Sequence, residues 1–152
     1  MKFLYLLDRA RTPQASLAGG VQRPRPVIAV GVFGPIGSYL IDGHLDTASD
    51  DTVFPLWVSA FLGLDPSQGA EQEVRLAGRV QPVRARILRV ELRITDGQES
   101  CQWPALVGFV PIPLRRALPG YAGCLQVFDP NFRGADREVI LTPNWSFQGQ
   151  HV

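Results

Sequence analysis

The chain has few cysteines and almost no lysine. Only two of its 152 residues are cysteine, and Lys2 is the only lysine among 15 basic residues. Two isolated cysteines, Cys101 and Cys124, do not make the disulfide framework that stabilises small secreted domains. We therefore expect free thiols and a cytoplasmic protein.

Long apolar runs and a strong net charge are also missing. The run Phe3 to Leu7 ends at Asp8 and is too short for the apolar part of a signal peptide. No stretch approaches the roughly 20 apolar residues of a transmembrane helix, so we expect no membrane contact. A net charge of +1 gives no global attraction to nucleic acid. The arginines of 75–93 alternate with apolar residues, which indicates a solvated strand face and no nucleic-acid partner.

The remaining composition is that of one packed domain. Hydrophobic residues make up 45% of the chain, and short apolar runs alternate with Gly and Pro turns. This pattern predicts an all-β barrel or sandwich. The predicted strands are Met1 to Leu7, Val27 to Phe33, Ser38 to Leu45, Val74 to Val80, Val83 to Thr95, Trp103 to Val110 and Arg137 to Thr142. The predicted short helices are Pro55 to Leu62 and Tyr121 to Phe128.

The segment Thr12 to Pro26 contains Gly, Gln, Ser, Arg and three Pro and is predicted to be a linker or arm. The segment Asp65 to Glu73 is predicted to be a polar loop. In Val83 to Thr95 the polar positions change parity halfway, which predicts a β-bulge or a sharp bend.

The side chain that looks most reactive is Asp46, at the end of a predicted strand. A carboxylate there is costly unless it is hydrogen bonded or used. The loop that follows supplies hydroxyl donors at Thr47, Ser49 and Thr52. Asp46 is therefore either an Asp that caps its own loop in an Asx turn or a reactive carboxylate held still by that loop.

The sequence around Asp46 resembles the active-site signature of the retroviral-type aspartic proteases, the retropepsins. That signature is two apolar residues, then Asp-Thr/Ser-Gly-Ala/Ser, often followed by Asp-Asp-Thr-Val and an apolar residue. The chain reads Leu45-Asp46-Thr47-Ala48-Ser49-Asp50-Asp51-Thr52-Val53-Phe54 and departs from the signature at Ala48. The second family marker is an apolar strand ending in Gly, then an apolar-apolar-Gly break and a short helix. Ala105 to Gly108, Leu118 to Gly120 and Tyr121 to Phe128 are similar to it.

This resemblance covers roughly Arg25 to Pro143 and implies a closed retropepsin-like acid-protease barrel with a flap hairpin and one or two short helices. It implies a domain over 25–143 and leaves 1–24 as an N-terminal arm or linker and 144–152 as a C-terminal tail. It implies an aspartic endopeptidase that works as a homodimer, because each chain supplies one Asp46 and the reaction needs two. The two carboxyls share a proton: the ionised one activates a water and the protonated one polarises the peptide carbonyl. The substrate is an extended polypeptide, and no cofactor is implied.

The resemblance also implies roles for neighbouring residues. Thr47 would hydrogen bond across the two-fold axis and brace both active-site loops. The remaining loop residues would be Ala48, Ser49 and Asp50. The substrate groove would be lined by His44, Val53 and Leu118, and the flap would turn at Ala77, Gly78 and Arg79.

Three positions differ from the family pattern. Ala48 replaces a Gly, and only a Gly tolerates positive φ and close backbone approach without strain. His44 stands where the family has an apolar groove residue. Tyr121 follows Gly120 where the family often has an Arg that pairs with the loop acid, here Asp50.

Two alternatives stay open. The first is a retropepsin-like dimeric binding or scaffold module that has lost activity through Ala48 or a closed cleft. The second is a metal-dependent hydrolase. Asp42, His44 and Asp46 share one strand face at period two and carry the donor atoms of a metal site. Further ligands would be needed, and the only other histidine is His151, near the end of the sequence.

Overall fold

A computed structural model describes residues 1–76 and 78–152, and these are mostly β-strand. The strands are β1 (Lys2–Leu4), β2 (Leu6–Arg9), β3 (Gln22–Arg25), β4 (Val27–Phe33), β5 (Ser38–His44), β6 (Val53–Pro55), β7 (Ala70–Val74), β8 (Val83–Thr95), β9 (Ser100–Val110), β10 (Phe128–Arg133), β11 (Glu138–Pro143) and β12 (Gln150–His151). One α-helix, α1, spans Val58–Leu62 in the described residues, and 3-10 turns span Ala15–Leu17, Pro66–Gln68 and Leu125–Val127. Within these ranges no helix is long and apolar enough to cross a membrane.

The largest sheet has seven strands in the order β12-β9-β8-β4-β5, with β6 added to β9 and β7 added to β8. A second sheet has the order β1-β11-β10, and β2 and β3 form a third. The all-β prediction is therefore confirmed. The closed barrel is not found among the described strands, because β12 and β5 remain at opposite ends of the strand order and do not pair with each other.

The predicted β-bulge in β8 is wrong. The strand pairs residue for residue with β9 from Arg86 to Thr95, and with β7 from Val83 to Ile87. The change of parity arises because β8 contacts two different apolar clusters with its two faces. Val83 and Ala85 pack with Val53, Val74, Leu76 and Val110, which we name the second core. Val90, Leu92 and Ile94 face the main core, which also holds Phe54, Trp103, Phe109 and Phe128.

The N-terminal residues are more structured than a linker. β1 pairs with β11, and Phe3 between them is buried. The linker predicted over Thr12 to Pro26 is wrong at its end, where β3 pairs with β2. Pro24 is tolerated in β3 because that strand pairs with β2 alone, so its missing N–H can lie on an open edge.

Other boundaries also differ from the sequence prediction. The helix predicted from Pro55 to Leu62 begins only at Val58, because Pro55 is the last residue of β6, where it pairs with Val110. The predicted helix from Tyr121 to Phe128 is only a 3-10 turn, because Gly123 adopts a left-handed φ of 88° that a helix cannot contain.

The predicted loop from Asp65 to Glu73 includes most of β7, whose Glu71 pairs with Arg84 and Arg86 of β8 and stays exposed. The strand predicted from Val74 to Val80 is therefore displaced toward the N-terminus.

Candidate active site

Asp46 follows β5 closely and is fixed through its backbone. The N–H of Leu45 donates to the carbonyl of Pro26 at 2.9 Å, and the N–H of Asp46 donates to the carbonyl of Pro119 at 3.1 Å. The Oδ1 of Asp46 accepts from the N–H of Ala48 at 3.0 Å, which is an Asx turn. The side chain stays half-buried. The carboxylate is thus held by its own loop and still reaches the surface.

The two motifs that resemble the family markers lie side by side. Backbone hydrogen bonds of about 2.9–3.0 Å join 49–53 to 118–122. The N–H groups of Tyr121 and Ala122 donate to the carbonyls of Ser49 and Asp50, each at 2.9 Å. Val53 and Leu118 exchange two further bonds, of 3.0 and 2.9 Å. The Asp46 loop is therefore built on a segment from the other end of the domain.

Thr52 is the polar centre of this junction. Its side chain is 1% exposed, and its Oγ1 accepts from the N–H of Gly120 at 3.1 Å. The same hydroxyl lies 3.4 Å from the carbonyl of Gly120, a long hydrogen bond. The sequence predicts the hydroxyls of Thr47, Ser49 and Thr52 as donors that hold Asp46, and this prediction is wrong. In the described chain none of them bonds the Asp46 carboxylate, and the hydroxyl of Thr52 bonds Gly120 instead. The available signal was a hydroxyl directly before the apolar pair Val53-Phe54, since a buried polar side chain requires a partner.

Only a glycine fits at position 120, because the backbone of the Asp46 loop lies too close for a side chain. A Cβ at this position would lie 2.7 Å from the carbonyl oxygen of Ser49 and closer still to that of Asp51. Both contacts are with backbone atoms of the Asp46 loop, which cannot rotate away as a side chain can.

Ala48 does not strain the loop. Among the described residues other than glycine, positive φ occurs at Ala18 and Arg137 only. Ala48 therefore has a backbone conformation that any L-residue adopts, and its methyl group is exposed. The Gly of the family signature is not needed here for conformational reasons.

The other predicted loop residues have different surroundings. Thr47 is exposed and lines a cavity of about 650 Å³ together with Tyr121, Leu125 and Trp145. Ser49 is buried, and its hydroxyl donates to the carbonyl of Asp51 at 2.8 Å.

In the described residues Asp50 has no arginine partner of the kind that the family pattern gives to the loop acid. Asp50 is exposed, and within residues 1–76 and 78–152 it has no ion pair with an arginine. Its neighbour Asp51 instead accepts from the amide of Gln72, with both carboxylate oxygens at 3.2 Å from Nε2. Gln72 lies on β7, so this amide ties the loop to the hairpin beside it.

The predicted groove residues divide into two groups. His44 and Leu118 are half-buried, as a groove wall requires. Val53 is fully buried in the second core, so its assignment to the groove is wrong. The reason is that β6 lies between the two cores: Val53 faces the second core, and Phe54, which follows it, faces the main core.

The predicted flap coincides with the hairpin β7–β8. Val74 pairs with Val83 at its base, and Gly78 and Arg79 lie between the two strands and are exposed. Gly78 has a φ of 79°, which allows the chain to reverse there. The third predicted flap residue, Ala77, lies outside the described residues.

His44 lies in a positively charged environment. Burial lowers the pKa of its imidazole below the usual value, and the guanidinium of Arg25 lowers it further. Arg116 acts in the same direction, whereas the carboxylates of Asp46 and Asp8 oppose it. His44 is therefore held in its neutral form to a lower pH than a free histidine.

The metal alternative finds no assembled ligand set. In the part of the chain that the structure describes, no group of three His, Cys, Asp or Glu side chains is placed to hold a metal ion. Asp42 is exposed and lies 3.9 Å from the Nε of Arg116. Asp42 and His44 lie on β5, Asp46 lies beyond its end, and the three side chains do not form a ligand set.

Replacing Gly120 with Ala should destabilise the protein by about 1–3 kcal/mol, because the added methyl overlaps two backbone carbonyls. Equilibrium unfolding in urea measures the loss. Gly134→Ala is the matched control, since a Cβ there has no heavy atom within 4 Å. Equal stability losses in the two variants would contradict the packing argument.

His44 should make the protein less stable as the pH falls. The unfolded chain binds a proton near the ordinary histidine pKa of about 6.5, while the folded chain resists protonation to lower pH. The contribution is therefore complete above that pH and is lost below it, down to the lowered pKa. Urea unfolding at about pH 7.5 and about pH 5.5 should show a smaller loss in His44→Gln than in the wild type. The control His151→Gln should retain the loss, and a His44→Gln variant that retains it too would refute the assignment.

Comparison with known proteins does not assign the chain to a family. No protein-family model matches the chain, and no curated protein matches it significantly. The likeness to retropepsins therefore rests on the residues of the two motifs.

Proposed function

We propose that this chain is an aspartic endopeptidase that acts as a homodimer through Asp46. One observation carries the proposal. The loop of Asp46 and the segment that ends in Gly120 are hydrogen bonded to each other, although Thr52 and Gly120 are 68 residues apart in the sequence. These are the two segments whose sequences resemble the retropepsin markers, and each supports the other around an accessible carboxylate.

The chemistry would need two copies of Asp46 within hydrogen-bond distance. Two carboxyls that close cannot both ionise, so the pair shares a single proton. The ionised carboxyl takes a proton from a water as that water attacks the peptide carbonyl carbon. The protonated carboxyl donates to the carbonyl oxygen, and a proton is then passed to the amine that leaves.

The surroundings of Asp46 suit an extended polypeptide. Thr47, the residue next to it, lines the cavity of about 650 Å³, whose apolar walls include Leu125, Val127, Phe128 and Trp145. Its polar lining residues include Gln126, Asp129, Asn144 and Ser146. A cavity that combines apolar walls with hydrogen-bonding groups is suited to a ligand side chain. Trp145 is 97% exposed in the single chain, so a bound side chain or a second copy would cover it.

A reducing compartment fits the two thiols. Cys101 and Cys124 are both free and buried. Burial raises the pKa of the Cys124 thiol to about 12, so this side chain is an unreactive part of the core. We place the activity in the cytoplasm on this ground.

Asp46→Asn should abolish peptide hydrolysis, because an amide can neither take up nor release the catalytic proton. Cleavage of an unstructured protein, followed from about pH 4 to about pH 7, should fall by at least about 10². The control Asp136→Asn changes an exposed carboxylate in the turn between β10 and β11 and should keep wild-type activity.

Three outcomes would contradict the proposal. Equal activity of the wild type and Asp46→Asn would exclude Asp46 from the chemistry. Hydrolysis that EDTA abolishes would favour the metal hydrolase. A dimer without any hydrolysis across this pH range would favour the binding or scaffold module.

Thr47→Ala should weaken the homodimer, since each chain would lose a hydrogen bond across the two-fold axis. Two lost bonds of about 1 kcal/mol each correspond to a dissociation constant roughly 30-fold higher. Sedimentation velocity over a dilution series measures the constant. Thr47→Ser keeps the hydroxyl and should dimerise like the wild type, as should Thr142→Ala, at an exposed threonine of β11. A Thr47→Ala variant with wild-type dimerisation would remove Thr47 from the interface.

A further inference from the structure

A cavity rich in arginine lies between the β2–β3 hairpin and the segment before Ala117. Its volume is about 410 Å³. Five arginines line it against two carboxylates, Asp8 and Asp42, which leaves an excess of three positive charges in a chain whose net charge is +1. The arginines are Arg9, Arg23, Arg25, Arg115 and Arg116. We name this space the arginine cavity.

The two carboxylates of the cavity are already occupied. Asp8 accepts from both terminal nitrogens of Arg116 at 2.9 Å, and the Nε of Arg25 lies 2.9 Å from its Oδ2. These contacts hold the pKa of Asp8 below its usual range. Asp42 lies 3.9 Å from the Nε of Arg116. The two carboxylates of the cavity therefore compensate the charges of Arg25 and Arg116.

Three guanidinium groups are left without a countercharge. Arg9 and Arg115 are exposed, and no carboxylate of residues 1–76 and 78–152 forms an ion pair with either. Arg23 donates to the side-chain oxygen of Gln14, which is neutral. In addition, the Nε of Arg25 is buried and has no hydrogen bond in the described chain, although it lies 2.9 Å from the Oδ2 of Asp8 as an ion pair.

A bound anion would supply the countercharge that these arginines lack. Like charges gathered in a concave site repel one another and create a positive potential that attracts an anion. Arginine forms paired hydrogen bonds with carboxylate and phosphate groups, and such charged hydrogen bonds are among the strongest in proteins. The volume is within the range of ligand sites and exceeds that of a single carboxylate. The cavity can therefore receive a whole side chain that ends in an anion.

The cavity lies along the strand that leads to Asp46. Asp42, on its wall, belongs to β5, which ends at His44 two residues before Asp46. Asp42 precedes Asp46 by four residues, which corresponds to about 13 Å of extended chain. His44 stands between them and lines a neighbouring cavity that shares Arg23 and Arg25 with the arginine cavity. An extended peptide that passes Asp46 and runs beside this segment would reach the arginines after about four residues.

We propose that the arginine cavity binds the carboxylate of a Glu or Asp side chain about four residues from the peptide bond at Asp46. This inference rests on the proposed protease function and gives it a substrate preference. A nucleic acid is less suited to the site, because it presents a row of phosphates and the excess charge is concentrated in one cavity.

Peptide binding to the Asp46→Asn variant tests the inference without cleavage. Three peptides of about twelve residues share a central Leu-Phe pair. The first has Glu about four positions before the pair, the second has Glu about four positions after it, and the third has Gln at both places. Isothermal titration calorimetry gives the dissociation constants. We expect one Glu peptide to bind about tenfold more tightly than the Gln peptide.

Substitutions then locate the effect. Adding Arg9→Gln and Arg115→Gln should remove the advantage of the Glu peptide and leave the affinity for the Gln peptide unchanged. Neither arginine has a structural ion pair, so the fold should be kept, and thermal unfolding of the variant checks this. The control Arg89→Gln changes an exposed arginine of β8 outside the cavity and should keep the advantage.

The outcomes separate this inference from the proposed function. Equal affinity for all three peptides, or an equal effect of Arg89→Gln, overturns the carboxylate site. A single-stranded oligonucleotide that binds more tightly than the Glu peptides, and loses its affinity in the double substitution, overturns it in favour of nucleic acid. If the Glu peptide binds as expected but wild-type enzyme cleaves none of the peptides, the site stands and the protease proposal fails. If all are cleaved with equal efficiency, the protease stands and the preference fails.

Discussion

The hydroxyl of Thr52 contacting the backbone of Gly120 is the interaction on which the candidate site depends. Thr52 also donates its N–H to the carbonyl of Ala122, and its carbonyl accepts from the N–H of Gly108, each at 2.9 Å. A single buried residue thus joins the Asp46 loop to β9 and to the segment after it. Because no water can reach these groups, losing one partner leaves the others unsatisfied, which costs more than the hydrogen bond itself contributes.

The elements predicted correctly from sequence are those whose conformation is determined by residues adjacent in the sequence. β4 begins and ends where its β-branched run does, α1 ends at Gly63 in the left-handed conformation, and Asp96-Gly97 turns between β8 and β9. β8 was misread because its parity depends on two cores formed by distant parts of the chain. The helix after Gly120 was misread because Gly123 places its carbonyl 2.8 Å from the buried indole nitrogen of Trp103. Neither contact can be recognised from the residues that neighbour it in the sequence.

The candidate site also has one part that neighbouring residues determine and one part that distant residues form. Asp46 and its loop could be predicted because the motif is contiguous in sequence. The arginine cavity could not, since its main ion pair joins Asp8 and Arg116, which are 108 residues apart. The net charge of the chain also gave no indication of the arginine cavity. A value of +1 for the whole chain is compatible with a local excess of three positive charges, because acidic residues elsewhere compensate.

The surroundings of Asp46 differ in polarity on its two sides in the chain. Toward the N-terminus, His44 and Asp42 lead to the arginines, and burial together with the guanidinium of Arg25 lowers the pKa of His44 there. Toward the C-terminus, Thr47 lines a cavity whose walls include Leu125, Trp145 and the carboxylate of Asp129 and, among the described residues, no arginine or lysine. A substrate with an acidic and an apolar side chain suitably spaced would satisfy both cavities in one direction only. In the reverse direction its carboxylate would enter the cavity of Asp129, where it would meet a like charge and no positive partner. The two cavities would then select the direction in which a chain lies across Asp46, as well as its sequence.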